Sequence, residues 1–155
     1  MLKGVSQSDF EEVKNLYTDE NVRRFLGGPR RTFTLDEFAD DVDAEQSWHW
    51  TVRKAGTNEF IGMISLATHH SGKDTEVSYQ FLPKWWKKGY AKETVARVVT
   101  FAFEDLNLER VVAETQTANR PSCLLLERLG MEVIDNYERF GADQSLYSIS
   151  DNRHF

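Results

Sequence analysis

Apolar positions in the first third of the chain recur at helical spacing. In "SDFEEVKNLYTDENVRRFL", Phe10, Val13, Leu16 and Tyr17 fall three and four residues apart behind Ser8 or Asp9 as a candidate cap. The pattern breaks at "GGPRR", Gly27 to Arg31. "TLDEFADDVDAE" predicts a second helix, with Thr34 as cap and Glu37 closing a capping box. The period then falls to two. "WHWTVRK" and "FIGMISLA" read as strands joined by the hairpin chemistry of "AGTNE", Ala55 to Glu59. "TEVSYQFL" sets Val77, Tyr79 and Phe81 on one face against Glu76, Ser78 and Gln80 on the other, as a half-buried strand does.

From Gly89 the apolar residues Ala91, Val95, Val98, Val99, Ala102, Phe103 and Leu106 form a long amphipathic stripe, and "RVVAET" at Arg110 to Thr115 reads as a buried strand. Strand, helix and strand in this order predict a parallel pair with a right-handed crossover. "NRPSCLLLERLG" then supplies Asn119 as a cap, Pro121 in the first turn and Gly130 as the closing residue of another helix. Two last strands, near Met131 to Phe140 and Ser145 to Ser150, meet at Gly141. The expected class is α+β with a mixed, mostly antiparallel sheet flanked by helices.

At 155 residues and 40% hydrophobic content, the chain can bury one core and is short for two, so one domain over residues 1–155 is expected. No stretch approaches the ~18 apolar residues of a membrane span, and "MLKGVSQSDFEEVKNLY" lacks a signal-peptide core. The reading is cytoplasmic, with no membrane partner. A lone cysteine, Cys123, excludes a disulfide framework and a cysteine-based metal site within the chain. The net charge of −6 argues against a nucleic-acid surface and inclines toward cationic small molecules or basic peptide ends.

One stretch carries specific chemistry. "KWWKKGYAKETVARVV", residues 84–99, puts a lysine-rich turn with a bare glycine at the mouth of a helix. Unpaired N–H groups and the helix dipole favour an anion there, Gly89 admits close approach, and Lys87, Lys88 and Lys92 add charge. The turn lacks the Gly-Lys-Ser/Thr of a Walker loop and the three glycines of a dinucleotide fingerprint, so a phosphate-bearing cofactor of another kind is implied, and a nucleotide-dependent phosphotransferase is disfavoured.

"YQFLPKWWKKGYAKE" resembles the acyl-CoA-binding segment of the GNAT superfamily of N-acetyltransferases, Gln/Arg-x-x-Gly-x-Gly/Ala, with Trp86, Gly89 and Ala91 in its three fixed places. The tryptophan and "GYA" followed by a glutamate are more specifically similar to the branch of ribosomal-protein N-terminal acetyltransferases. "NRPSCLLLERLGM" is similar to that branch's Asn-x-x-Ser and Leu-Gly-Phe ending. The likeness is strong over residues 76–131 and looser near the start. It departs at Lys87, where the family has glycine, at Met131, where it has phenylalanine, and at Leu126, where many members carry a tyrosine acid. The first strand is expected to be short.

The resemblance implies a GNAT-like fold with a splayed central parallel pair, and acetyl transfer from acetyl-CoA to a primary amine, on a small molecule or a peptide N-terminus, by direct attack on the thioester. It implies that backbone groups at Phe81 and Leu82 hold pantetheine, that the segment Trp86, Lys87, Lys88, Gly89, Tyr90, Ala91 and Lys92 holds the pyrophosphate, and that Asn119 reaches the cofactor. It offers Glu114 as base, with Glu76 on the polar face of the preceding strand as the other candidate, and Ser122 as the group facing the departing thiolate, though Ser122 equally reads as a first-turn residue bonding the backbone. A non-catalytic acyl-CoA sensor on the same fold is the rival reading, and a homodimer is left open.

Other residues take structural readings. His69 and His70 are expected to point opposite ways on a strand with no third ligand, so no metal is assigned. Cys123 reads as core, as do Trp48 and Trp50, while Trp85 is hard to explain by packing alone. Asp9 to Glu45 is expected to line the acceptor site, with "GGPRRTF" as a mobile loop.

Overall fold

A computed structural model describes residues 1–30 and 32–151. Arg31, inside the expected break and loop, and the last four residues of the expected domain lie outside the described residues.

The strands are β1 (Leu2–Gly4), β2 (Trp48–Arg53), β3 (Phe60–Thr68), β4 (Thr75–Phe81), β5 (Arg110–Gln116), β6 (Glu132–Arg139) and β7 (Ala142–Ser150). The helices are α1 (Phe10–Tyr17), α2 (Leu35–Asp43), α3 (Tyr90–Glu104) and α4 (Arg120–Arg128). One seven-stranded sheet runs in the order β1-β2-β3-β4-β5-β7-β6, and every neighbouring pair is antiparallel except β4 and β5. The α+β mixed sheet with one central parallel pair is therefore as expected.

Local chemistry explains the element ends. Asp9 precedes α1 and accepts the Ser6 N–H at 2.9 Å, so the entry to the helix is fixed by a short 3-10 turn. Thr34 caps α2 by accepting the Glu37 N–H at 3.2 Å. The first helical stripe was expected to run further, but α1 stops at Tyr17, and residues 20–27 form turns stitched by Arg23, whose guanidinium donates to the carbonyls of Gly28 and Leu26.

Two cores sandwich the sheet. On one face α3 and α4 cover Ile64, Leu66, Val77, Phe81, Val111 and Ala113. Val95, Val98 and Ala102 of α3 are at most 1% exposed, which confirms the predicted stripe. On the other face Val13 and Leu16 of α1 and Phe38 of α2 pack over Phe60 and Met63 of β3, with Phe33 against Tyr17 edge-on at 4.7 Å. Trp50 meets Phe101 of α3 at 5.2 Å, in keeping with its core reading. Trp85, in contrast to the expectation, is core as well: 6% exposed and edge-on to Tyr90 at 5.5 Å.

The parallel pair positions everything that follows. β4 and β5 are in register only at Thr75↔Val111 and Glu76↔Val112. Beyond those rungs the strands separate. Arg110, at the start of β5, grips Asp74, just before β4, through two bonds of 2.9 and 2.7 Å, and this charge pair holds the Asp74 carboxyl below its usual range. The pair is thus pinned at one end and open at the other.

Candidate active site

The open end of the split leads to the turn before α3. Gly89 is the N-cap of α3 with φ +85°, a left-handed conformation natural to glycine, and a Cβ built there would meet nothing within 4 Å. Tyr90, Ala91 and Lys92 form the first turn, whose N–H groups have no intrahelical acceptors. Lys87 has φ +62°, so the residue that replaces the family's glycine adopts the left-handed conformation that glycine would take freely. Lys54, Lys84 and Lys88 place their ammonium groups 5.7, 5.0 and 5.4 Å from the Trp85 ring centre. A basic rim therefore surrounds the turn.

The residues expected along pantetheine are partly occupied within the protein. The Phe81 carbonyl accepts the indole N–H of Trp86 at 2.8 Å. The Leu82 N–H donates to Ile61 O, and its carbonyl accepts the Trp85 N–H, both at 2.9 Å. The Leu82 N–H is thus used, and the Phe81 and Leu82 carbonyls each keep a second lone pair. Gln80, the residue before them on β4, has its side-chain oxygen buried with no hydrogen-bond partner among the described residues, as has the Trp85 indole nitrogen.

At the closed end the two candidate carboxylates come together. Glu76 of β4 and Glu114 of β5 line a pocket of about 160 Å³ with Ser78, Arg139 and the backbone turn at Phe25 to Gly27. Their environments differ. Glu114 Oε1 accepts from His69 Nε2 at 2.8 Å, from His70 Nε2 at 2.7 Å and from the Tyr137 hydroxyl, and Oε2 accepts from Arg139 at 2.9 Å. Burial alone would raise its pKa, but these donors outweigh burial and bring it to about 2. Glu76 has no such clamp. Burial first, and then the neighbouring Glu114 charge, raise it to about 7, against the lowering influence of the Glu114 N–H and Arg139. Two adjacent carboxyls are driven to opposite protonation behaviour, the arrangement that separates a fixed anion from a proton acceptor.

The histidines need a correction. Strand alternation was expected to send His69 and His70 apart, but β3 ends at Thr68, and both lie in the turn that follows. There the chain folds back, with the His69 N–H bonded to Asp74 O, and the two rings sit 3.9 Å apart, converging on Glu114. The expected lack of a third ligand also fails: the ligand atoms of His69, His70 and Glu114 lie within 4.8 Å of one another, a spacing one ion could bridge. The same atoms are used by hydrogen bonds, and Arg139 adds a fixed positive charge to the other carboxylate oxygen.

On the opposite face of β4, Tyr79 reaches across the split to Ser122 in the first turn of α4, oxygen to oxygen 2.7 Å. The Ser122 N–H in turn donates to Asn119 Oδ1, the α4 cap, at 3.4 Å. The Ser122 hydroxyl therefore bonds a side chain and not the backbone, in contrast to its first-turn reading, and it is the Ser122 N–H that the Asn119 cap receives. Tyr79 was read only as part of an apolar stripe; the hydroxyl on that stripe, opposite an Asn-x-x-Ser turn, was the available signal. Tyr137 and Arg139 were not anticipated at all.

Comparison with known proteins bears on this geometry. The family model described as "Acetyltransferase (GNAT) domain" matches residues 1–132. The uncharacterized N-acetyltransferase YoaA of Bacillus subtilis is 26% identical over 141 residues, 85% of this chain and 78% of its own. The uncharacterized N-acetyltransferase p20 of Bacillus licheniformis is 31% identical over 149 residues, covering 89% and 83%. Among solved structures, the spermidine N-acetyltransferase from Vibrio cholerae, in complex with CoA and spermine, superposes with a TM-score of 0.82 at 18% identity, over 97% of this chain and 94% of its own, and so matches the fold.

Proposed function

From the premise that this chain belongs to the GNAT family of acetyltransferases, and is thereby an acetyl-CoA-dependent acyltransferase, we propose that its single domain transfers acetyl to a primary amine with Glu76 as general base. The observation that carries this reading is the pair of carboxyls at the closed end of the β4/β5 split. Glu76, held at about 7, is partly ionised near neutrality and can accept a proton. Glu114, with four donors on its two oxygens, is a poor acceptor; its charge keeps Glu76 basic and favours an ammonium in the pocket.

The chain fits the cosubstrate. The turn from Trp86 to Lys92 would hold the pyrophosphate, with Lys87, Lys88 and Lys92 supplying charge. The unsatisfied Gln80 oxygen, the parted edge of β4 and the remaining lone pair of Phe81 would meet the amide groups of pantetheine, and Asn119 and Ser122 border the same opening. The leaving thioester then lies between Glu76 and Ser122. The amine nitrogen attacks the acyl carbon, Glu76 removes its proton, directly or through water, and the fold's main contribution is alignment.

The motif around Trp86 and "GYAKE" supports kinship with the ribosomal-protein N-terminal acetyltransferase branch, and the acidic pocket suits a cationic acceptor, whether a peptide amine or a polyamine such as the Vibrio relative's ligand. Among the described residues no helix is long and apolar enough to cross a membrane. The test is thiol release from acetyl-CoA with a panel of N-terminal peptides and polyamines. Turnover with at least one amine is expected, along with its loss in Glu76→Gln. CoA release without an acetylated amine would refute the reading.

A further inference from the structure

The cluster on Glu114 holds more hydrogen-bond donors than its acceptor can take. Oε1 receives His69 Nε2 at 2.8 Å, His70 Nε2 at 2.7 Å and the Tyr137 hydroxyl, whereas a carboxylate oxygen offers two lone pairs. The Tyr137 oxygen stands 3.3 Å from each imidazole Nε2, so the donors also crowd one another. To make these bonds both rings must carry their hydrogen on Nε2, and both hydrogens then point at a single atom. A cation among these atoms removes the conflict: it takes the two nitrogens and one lone pair of Oε1, and Tyr137 keeps the other.

We propose that His69, His70 and Glu114 form a binding site for a divalent ion of the zinc, cobalt and nickel kind, and that an ion held there competes with the amine acceptor. The competition rests on the acetyl-transfer reading above; the site does not. Two imidazole nitrogens and one carboxylate oxygen, with a fourth position left to water, suit these ions and are too poor in oxygen for magnesium or calcium. Ligands about 2.0–2.2 Å from a tetrahedral ion lie roughly 3.3 Å apart. The nitrogens stand 2.8 and 2.7 Å from Oε1, so the cluster opens by about half an ångström to admit one. His70 supplies the movement and the way in, because its side chain is 36% exposed against 2% for His69 and 7% for Glu114.

Binding moves each ring's hydrogen from Nε2 to Nδ1, so both histidines are neutral before and after. For His69 the new acceptor is in place: Ser71 Oγ lies 2.8 Å from Nδ1, and the longer 3.3 Å bond that this nitrogen takes from the Ser71 N–H is given up. The part-exposed ring of His70 turns its hydrogen to solvent. Arg139 does not block the site, since it holds the other carboxylate oxygen, Oε2, at 2.9 Å. Glu114 also lines the pocket that contains Glu76, where its charge favours an ammonium. An ion that takes up this charge leaves itself and Arg139 as a positive pair beside the place of the acceptor, and the ammonium is repelled.

Cobalt is the probe, because the four-coordinate ion absorbs strongly in the visible and the hydrated six-coordinate ion only faintly. Titrated into the full chain, free of any affinity tag, it should give a visible spectrum that saturates near a single equivalent, is displaced by zinc and is untouched by magnesium. His70→Ala removes the most exposed ligand and leaves the buried ones in place, and it should weaken cobalt binding by at least about tenfold. No such spectrum in the parent, or parent affinity in folded His70→Ala, overturns the site. With an amine that the parent acetylates, read as acetylated product, zinc should raise KM for the amine and leave kcat unchanged, and His70→Ala should need about tenfold more zinc for the same effect. Zinc that binds without moving KM overturns the competition alone. Cobalt binding to a chain that acetylates no amine upholds the site and overturns the acetyl-transfer reading, and the competition with it.

Discussion

Replacing Glu76 by glutamine should make the protein more stable while disabling it. Glu76 is an acid whose folded-state pKa stands above its ordinary 4.5, at about 7. Below 4.5 it is protonated in both folded and unfolded chains and its charge costs nothing. Between 4.5 and about 7 the unfolded chain releases the proton while the folded one retains it, so stability falls as pH rises through this window, and above it the full penalty is present. The interval from 4.5 to about 7, at about 1.4 kcal/mol per factor of ten, corresponds to roughly 3 kcal/mol. Solvent at the pocket mouth screens part of this, leaving on the order of 2 kcal/mol. Glutamine keeps the shape without the charge.

For a domain of this size, 2 kcal/mol raises the melting temperature by roughly 4–8 °C. Thermal unfolding of parent and Glu76→Gln should therefore coincide near pH 4 and diverge steadily to pH 8, with the variant higher. Turnover should fall by roughly 10²–10⁴, and its acid limb near pH 7 should vanish. A variant that melts at or below the parent across the range shows that Glu76 is not destabilised by burial. One that keeps the limb shows that another group accepts the proton.

Glu114→Gln should show the opposite pH trend: its carboxyl, lowered to about 2, contributes stability that is present above 4.5 and lost as pH falls, so the variant's deficit should be largest near neutrality and close toward acid, as read by the same melting series. Turnover in that variant should survive, with its acid limb moved to lower pH; a limb that does not move would mean the two carboxyls are uncoupled. Lys87→Gly should raise stability by up to about 1 kcal/mol by relieving a left-handed lysine, with weaker CoA binding whose salt dependence is also smaller. Gly89→Val should abolish CoA binding by calorimetry, at a folding cost of about 1–2 kcal/mol because of φ +85°, with circular dichroism as the control. Wild-type affinity in that folded variant would exclude the turn as a phosphate cradle.

What the sequence revealed was what depends on near neighbours. The stripe on α3, the Thr34 cap, the hairpin at residues 55–59 and the faces of β4 are written in spacings of two to four residues, and the structure follows them. The turn proposed for the cofactor could be singled out because glycine, lysines and helix start are contiguous. The environment of Glu114 was not: its four donors come from a turn 45 residues upstream and a strand about 25 downstream, and no local pattern announces that a charge is clamped from both sides. The histidines were misread because alternation was applied past the end of β3, at Thr68. Trp85, which its place beside the lysine-rich turn made hard to explain by packing alone, is a buried ring with Lys84 and Lys88 as cations on its aromatic face.

Some of the places where the chain departs from its own local rules lie on β4 and in the turn that follows it, while others, the unpartnered Arg53 Nε and the left-handed Gln46, Asn58, Asn107 and Phe140, lie elsewhere. Glu76 is a buried acid held above its ordinary range, Gln80 and Trp85 have buried polar atoms without partners, and Lys87 occupies a glycine conformation. Each costs stability in the absence of a ligand, and in sequence order they run from the closed end of the β4/β5 split to the mouth of α3. These four lie where the proposed function would run a long, amide-bearing, phosphate-ended molecule. Binding that molecule should therefore relieve more than one of these costs at once, and the stabilisation by CoA should be smaller in Lys87→Gly and in Gln80→Leu, where part of the cost has already been removed.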